Sequence, residues 1–218
     1  MKRHLMTMCV AVLAVSAALA QEKKTVPPPP KPADDTPTLA ATMKFIQDKL
    51  KEQGNVSFLE SWNNTITGEQ YYPSKHSFEL LVAKSDPTGG LSLNFAHTFP
   101  GLGLKNTSTF RIHFKDVEKL EVLSKADKLH REFAKAGTPE KVFQTEPSVH
   151  ALVIYMTRGK TVSVHMQSFS DSAPTKETEG STDEIELLFR DEDMANRVAK
   201  AMVHAVELCG GGSKPEPF

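Results

Sequence analysis

The chain has 218 residues, with 26 Lys and Arg against 27 Asp and Glu, and a formal net charge of −1. This balance leaves no basic surplus to neutralise phosphates, which argues against nucleic-acid binding, because that binding draws most of its affinity from clustered Lys and Arg. The length suits one domain with short appendages.

Residues 1–20 have the pattern of a cleaved secretory signal. Lys2 and Arg3 form the charged start, Met6 to Ala17 the apolar run, and Ala18 to Ala20 a small-x-small cleavage site. The apolar run is shorter than the roughly 20 residues that a transmembrane helix needs, so we expect no membrane span. The protein is therefore expected to be exported, to the periplasm or the extracellular space.

The segment that follows the signal is rich in Pro, Lys, Asp and Thr. Pro27 to Pro30 are consecutive, and such runs favour an extended polyproline II conformation without a core. We therefore predict a disordered spacer over 21–36, a single domain over 37–209, and a disordered tail over 210–218.

The first helix of the domain is predicted between Thr38 and Gly54. Thr36 or Thr38 can cap its start, and Gly54 can end it. Its apolar residues recur at helical spacing and form one narrow stripe of Leu39, Met43, Ile46 and Leu50. We expect this stripe to pack on the domain, since the opposite face is charged and the stripe lacks the Trp typical of membrane-surface helices.

From Val56 to Ser124 the sequence alternates as short antiparallel strands do, with turn signals at Gly68 and at 86–90. Pro73 interrupts the second of these strands and predicts an edge, a bulge or two short pieces. The stretch 126–136 fits either a short surface helix or an insertion loop.

The region after 148 carries three further signals. Val149 to Met156 is apolar on both faces and predicts a central strand. Arg158 to Lys160 predicts a tight hairpin into a strand that starts at Val162. Residues 170–183 are rich in Ser, Thr, Glu and Lys and predict a long mobile loop.

The C-terminal unit is the clearest pattern in the chain. Ile185, Leu187 and Phe189 alternate, and at Asp191 the apolar period changes from two to about 3.6, which predicts a strand followed by a helix. Asp191 suits the N-cap, and Gly210 suits the stop. The helix has an apolar face of Met194, Val198, Ala201, Met202, Ala205 and Leu208.

Cys209 follows that face and is the single cysteine left after signal removal, so no intramolecular disulfide can form. We interpret it as a packed thiol rather than a dimerising one.

Seven or eight antiparallel strands followed by one amphipathic helix resemble the pleckstrin-homology-like superfold. The resemblance rests on 185–189 and the helix after it, covers about 56–209, and implies an α+β fold in which a bent antiparallel barrel is capped by the C-terminal helix. The helix at 38–53 would be an N-terminal addition. Phosphoinositide-binding members of the superfold use a basic first loop, whereas Thr65 to Gln70 has no Lys or Arg, so no lipid-binding residues are carried over. A lipocalin-like or sandwich fold is the alternative.

The N-terminal helix and the terminal strand and helix are also similar to those of uncharacterised exported bacterial proteins. That similarity implies no activity.

The sequence has no motif for a catalytic or cofactor site. It lacks the Gly-x-Ser-x-Gly nucleophile pattern and the close His or Cys pairs of metal sites, so no catalytic residue, cofactor or metal ligand is predicted. His97 is in phase with an apolar strand face, whereas His113 and His165 lie on polar faces, so a shared site is not expected. We interpret the histidines as surface and edge residues.

Trp62, Tyr71 and Tyr72 flank the first turn and are the predicted recognition surface, because such side chains combine apolar area with a polar group. Inward packing of these aromatics is the alternative interpretation. Three hypotheses follow: a non-enzymatic binding or scaffold domain for a protein partner, a carrier of a small hydrophobic ligand held between the sheets, and an enzyme with a site assembled from scattered residues. Alanine substitutions at the three aromatics that leave partner binding intact would exclude that surface.

Overall fold

The computed structural model describes residues 36–170 and 173–212, without the side chains of Tyr72 and Ala173. The predicted signal, nearly all of the predicted spacer, and residues 213–218 of the predicted tail lie outside the described residues. The described helices are α1 (Leu39–Gln53), α2 (Lys125–Lys135) and α3 (Glu192–Leu208). The described strands are β1 (Val56–Asn64), β2 (Gln70–Ser85), β3 (Gly90–Phe99), β4 (Leu104–His113), β5 (Val117–Ser124), β6 (Lys141–Glu146), β7 (His150–Met156), β8 (Val162–Ser170), β9 (Ala173–Thr182) and β10 (Glu184–Phe189).

The strands form two antiparallel sheets. One sheet has seven strands in the order β6-β1-β2-β3-β4-β8-β9 and curls into a half-barrel, and the other has three strands in the order β10-β7-β5. The predicted α+β class, the curled antiparallel sheet and the two terminal helices are confirmed. The ten described strands exceed the predicted seven or eight, because β6 and β9 carry little apolar alternation.

Helix α1 follows its sequence signals. Thr38 caps it by accepting a hydrogen bond from Ala41 N at 3.3 Å, and Gly54 ends it with a φ of 64°, in the left-handed region that favours glycine. Met43, Ile46 and Leu50 are buried against the domain, so the predicted packing of the stripe is confirmed.

Pro73 lies within the long strand β2. Glu60 pairs with Ser74 and Trp62 pairs with Tyr71, so the register shifts between these pairs. Of the three outcomes that Pro73 predicts, the structure therefore has a bulge within one continuous strand. The ladder between β2 and β3 starts only at Ser77, so Pro73 is not required to donate a backbone hydrogen bond there.

The C-terminal unit forms as predicted. The carboxylate of Asp191 accepts a hydrogen bond from Met194 N at 2.7 Å and caps α3. The helix lies on the three-stranded sheet and beside α1. Strand β7 is the middle strand of that sheet, as its apolar sequence predicts.

The first residues of the predicted tail are hydrogen-bonded to the domain. Gly211 N donates to Val206 O and Gly212 N to Val117 O, both at 2.9 Å. A Cβ added at Gly211 would lie 2.5 Å from Phe114 O, so this close approach requires glycine.

Two predictions for the region after 156 are wrong. Lys160 N donates to Thr157 O in a tight turn, but β7 and β8 join different sheets and form no hairpin. The predicted loop over 170–183 contains β9, which pairs with β8. Polar cross-strand contacts support β9, including the hydrogen bond from Gln167 Nε2 to Glu177 Oε1 at 2.8 Å. Of the stretch 126–136, for which the sequence fits either a helix or a loop, residues 126–135 are helical and Ala136 caps the end of α2.

Candidate functional site

The predicted recognition aromatics lie at the turn between β1 and β2. Trp62 and Tyr71 are cross-strand partners whose rings stack with centroids 5.8 Å apart, and Lys141 Nζ lies 4.1 Å from the centroid of Trp62. Tyr71 is 52% exposed and Trp62 is half-buried. Tyr72 belongs to β2, but its side chain is outside the described residues. The structure thus brings Trp62 and Tyr71 together, and their role in recognition stays a prediction.

Two of the histidines lie inside the curl of the seven-stranded sheet, so their interpretation as surface or edge residues is wrong. His76 is 8% exposed and His97 is half-buried. Ser74 Oγ lies 2.8 Å from His76 Nε2, and His76 Nδ1 lies 3.1 Å from His97 Nε2. The side chains of β2 and β3 on this concave face therefore form a chain of hydrogen bonds.

Aromatic rings enclose the pair. His76 stacks on Phe58 at a centroid distance of 5.2 Å, and His97 lies between Phe78 at 3.8 Å and Phe99 at 3.9 Å. Burial lowers the pKa of His97 to about 3, and the charge interactions with His76 and Lys125 add to this effect. Burial, with a smaller contribution from Lys125, also lowers the pKa of His76. Both rings are therefore neutral at neutral pH and each offers one donor and one acceptor nitrogen.

The other histidines that were considered for a shared site lie elsewhere. His165 Nδ1 lies 2.5 Å from Glu179 Oε1, on the polar face of β8 and β9, and His113 is the last residue of β4. In the part of the chain that the structure describes, no group of three or more His, Cys, Asp or Glu side chains is arranged to hold a metal ion.

A buried charge network lies beside the histidines. Lys125 and Lys128 of α2 are both less than a tenth exposed. Lys125 Nζ donates a hydrogen bond to Glu186 Oε2 at 2.9 Å. It lies equally close to Glu186 Oε1, but outside hydrogen-bond geometry for that atom. Lys128 Nζ lies 2.9 Å from Glu184 Oε1. The network joins α2 to β10.

The pKa shifts in this network follow from burial and charge together. Burial raises the pKa of Glu60, and Lys125 opposes this whereas Glu186 adds to it. Burial by itself would lower the pKa of Lys128, but the attraction of Glu186 and hydrogen bonds to Glu132 and Glu184 outweigh burial and raise it. Lys128 is therefore held as a cation.

A cavity of about 210 Å³ lies between the two sheets, next to the end of α1. Its wall is mainly apolar and includes Phe78, Leu80, Phe95, Phe110, Met166 and Leu187. The first five of these are only half-buried, so the cavity is partly open. Because a protein cavity of about 150 Å³ accommodates benzene, this one is large enough for a substituted benzene ring.

A few polar side chains line the same cavity, among them Gln53, His97, Asn106 and Glu186. Gln53 Nε2 is buried and has no hydrogen-bond partner among the described residues. An apolar cavity with a few converging polar groups is typical of small-molecule sites.

A second cavity of about 370 Å³ continues the first along the concave face toward β9. Ser108, Phe110 and Met166 line both cavities. The two cavities therefore adjoin along the concave side of β4 and β8.

The chain of Ser74, His76 and His97 has the spacing of a nucleophile, a base and an orienting residue. The residues that line the first cavity include His97 but not Ser74. The arrangement therefore offers a ligand in that cavity a neutral imidazole at the wall, and we assign no reaction to it.

No short motif in the sequence encodes this site, so motifs alone do not predict it. A signal was nevertheless present: Phe58, His76, Phe78 and His97 all fall at inward positions of three consecutive antiparallel strands, where β1 pairs with β2 and β2 with β3. The strand register was needed to place His76 beside His97 rather than beside another residue of β3.

Comparison with known proteins yields no relative of this chain: no protein-family profile, no curated protein and no solved structure is significantly similar to it. In the described ranges, none of the helices has the length and apolar character needed to cross a membrane.

Proposed function

We propose that this chain is an exported binding domain that holds a small, largely apolar molecule in the cavity between its two sheets. The observation that carries the proposal is the cavity itself, with its aromatic and aliphatic wall and its few polar side chains. The signal pattern of residues 1–20 supports export.

The partial exposure of the side chains that line the cavity also supports ligand binding. Phe78, Phe95 and Phe110 present apolar area that a ligand would remove from water, and burial of such area contributes about 25 cal/mol per Å². The neutral histidines fit an apolar ligand, because charged imidazolium rings would have to be desolvated as the ligand entered.

A cavity-filling variant with a matched control tests the proposal. Ser108→Phe places a ring in the part of β4 that lines both cavities, whereas Thr109→Phe places the same ring at the exposed neighbouring position of the strand. Isopropylbenzene is titrated into protein labelled with ¹³C at the methionine methyls, and the Met166 signal is followed. We expect a saturable shift in the wild type and in Thr109→Phe and none in Ser108→Phe.

Native mass spectrometry of the purified mature chain is the second measurement, and we expect a co-purifying small molecule. If isopropylbenzene causes no saturable shift at Met166 and no molecule co-purifies, the cavity is not a ligand site and the proposal is overturned.

A further inference from the structure

One polar side chain of the cavity wall comes from the last residue of α1. Gln53 precedes Gly54, whose left-handed backbone turns the chain into β1, so the Gln53 side chain is held at the point where helix and sheet meet. Its Nε2 is buried and lacks a partner among the described residues. A buried donor without an acceptor is costly, and a ligand oxygen at this place would offset that cost.

The charges at the cavity wall are already balanced. Glu186 is the acidic side chain of the wall, and Lys125 Nζ lies 2.9 Å from it, with Lys128 Nζ at 3.7 Å from Glu186 Oε2. An anionic ligand would lie against this carboxylate, while the nearby ammonium groups already bind acidic side chains. A cationic ligand would have to compete with Lys125 for Glu186.

The histidine at the wall adds no charge. His97 packs between Phe78 and Phe99 and bonds to His76, and its lowered pKa keeps the ring neutral. Neither an anion nor a cation therefore finds a free counter-charge in the cavity wall.

We propose that the ligand is an uncharged molecule with an oxygen acceptor that binds Gln53 Nε2 and an apolar body that lies over Phe78, Phe95 and Met166. This inference rests on the proposed function and specifies the ligand class. A ketone, ester or amide oxygen on an aromatic or aliphatic body has the required chemistry.

A cycle of two probes and two proteins isolates the hydrogen bond. Acetophenone carries a carbonyl acceptor, and isopropylbenzene has a similar shape without one. Both are titrated into the wild type and into Gln53→Leu, again with the Met166 methyl as the reporter and with the core residues Met43 and Met202 as reporters of an intact fold.

We expect Gln53→Leu to weaken acetophenone roughly 3- to 10-fold, as loss of one neutral hydrogen bond does, and to change isopropylbenzene by less than about twofold. Gln53→Glu keeps the length of the side chain but replaces the donor with an acceptor, and it should weaken acetophenone at least as much. Benzoate and benzylamine test the charge rule at pH 7.5, and each should bind the wild type at least about tenfold more weakly than acetophenone.

The inference is overturned if Gln53→Leu affects the two neutral probes equally, or if benzoate or benzylamine binds as tightly as acetophenone. These outcomes differ from failure of the proposed function, because isopropylbenzene would still bind in the cavity.

Discussion

Two regions of the molecule use similar apolar strands and reach different degrees of burial. The closed core lies between the three-stranded sheet, α1, α3 and the part of the seven-stranded sheet that carries Leu91 and Ile112. Its members Ile154, Phe189, Val198 and Met202 are all fully buried. The concave face of the seven-stranded sheet carries Phe78, Phe95, His97, Phe110 and Met166, all half-buried.

The difference arises from the amount of cover that each region has. Strand β7 has β5 and β10 on its two edges and α3 against its sheet, so its side chains are enclosed. The seven-stranded sheet is broader than the three-stranded sheet that faces it, and the cavities lie along β4, β8 and β9. In this fold the region covered by both sheets and the helices is closed, and the broader sheet keeps room for a ligand.

The largest expected change in the free energy of unfolding comes from a substitution in the closed core. Phe189→Ala removes a fully buried ring from β10 and should lower the free energy of unfolding by about 3–5 kcal/mol, because the loss of transfer energy is joined by a cavity. Urea denaturation measures it. Phe169→Ala makes the same change at a residue that is 36% exposed, and it should cost less than about 1 kcal/mol. Equal costs would contradict the contrast in burial.

A substitution in the buried charge network of α2 and β10 should give the next largest change in the free energy of unfolding. Lys128→Met leaves Glu184, Glu186 and Glu132 without their shared cation and should destabilise the protein by about 3 kcal/mol. Lys44→Met removes the cation of a solvent-exposed pair with Asp48 and should change stability by less than about 0.5 kcal/mol in the same denaturation experiment. If Lys128→Met were as stable as the wild type, the ion pairs of Lys128 would contribute nothing to folding.

The smallest expected effect is on the pH dependence of stability, to which the histidines of the concave face contribute. His76 and His97 have lowered pKa values in the folded protein, so between pH 6.5 and about 4.5 the unfolded chain binds more protons and stability falls as the pH falls. Glu60, whose pKa burial raises, acts in the opposite sense near the lower end of this range. His97→Gln keeps a hydrogen-bonding group beside His76 and removes one titration.

Denaturation midpoints of the wild type and His97→Gln from pH 7.5 to 4.5 test this prediction. We expect the loss of stability over this range to be smaller in the variant by on the order of 2 kcal/mol, after allowance for solvent screening of a half-buried ring. Parallel pH profiles would show that His97 titrates in the folded protein as it does in the unfolded chain.

The elements with local signals were predictable from the sequence. The capping Thr38 and Asp191, the left-handed Gly54 and the apolar run of β7 all act within a few residues of themselves, and the structure confirms the elements that they predict. Strand β9 has no such local signal and was not predicted. Its residues 173–182 are polar and gain their order from pairing with β8.

The candidate site depends on contacts between distant segments. Gln53, His97, Met166 and Glu186 belong to four different elements, and only the curl of one sheet and its stacking on the other bring them to a common cavity. The hydrogen bond between His76 and His97 depends on strand register. A shift of one residue would turn the side chains of one strand to the opposite face of the sheet and separate the two rings.

The sequence by itself determined which segments become helix or strand wherever caps and apolar periodicity agree, because those effects act over one or two turns of chain. Only the tertiary structure decided that the turn after β7 leads into a second sheet, that two histidines meet, and that the broad sheet keeps a partly open cavity. The physical reason is that cavities and buried polar pairs arise from the fit between layers, and layer width and register are properties of the assembled chain.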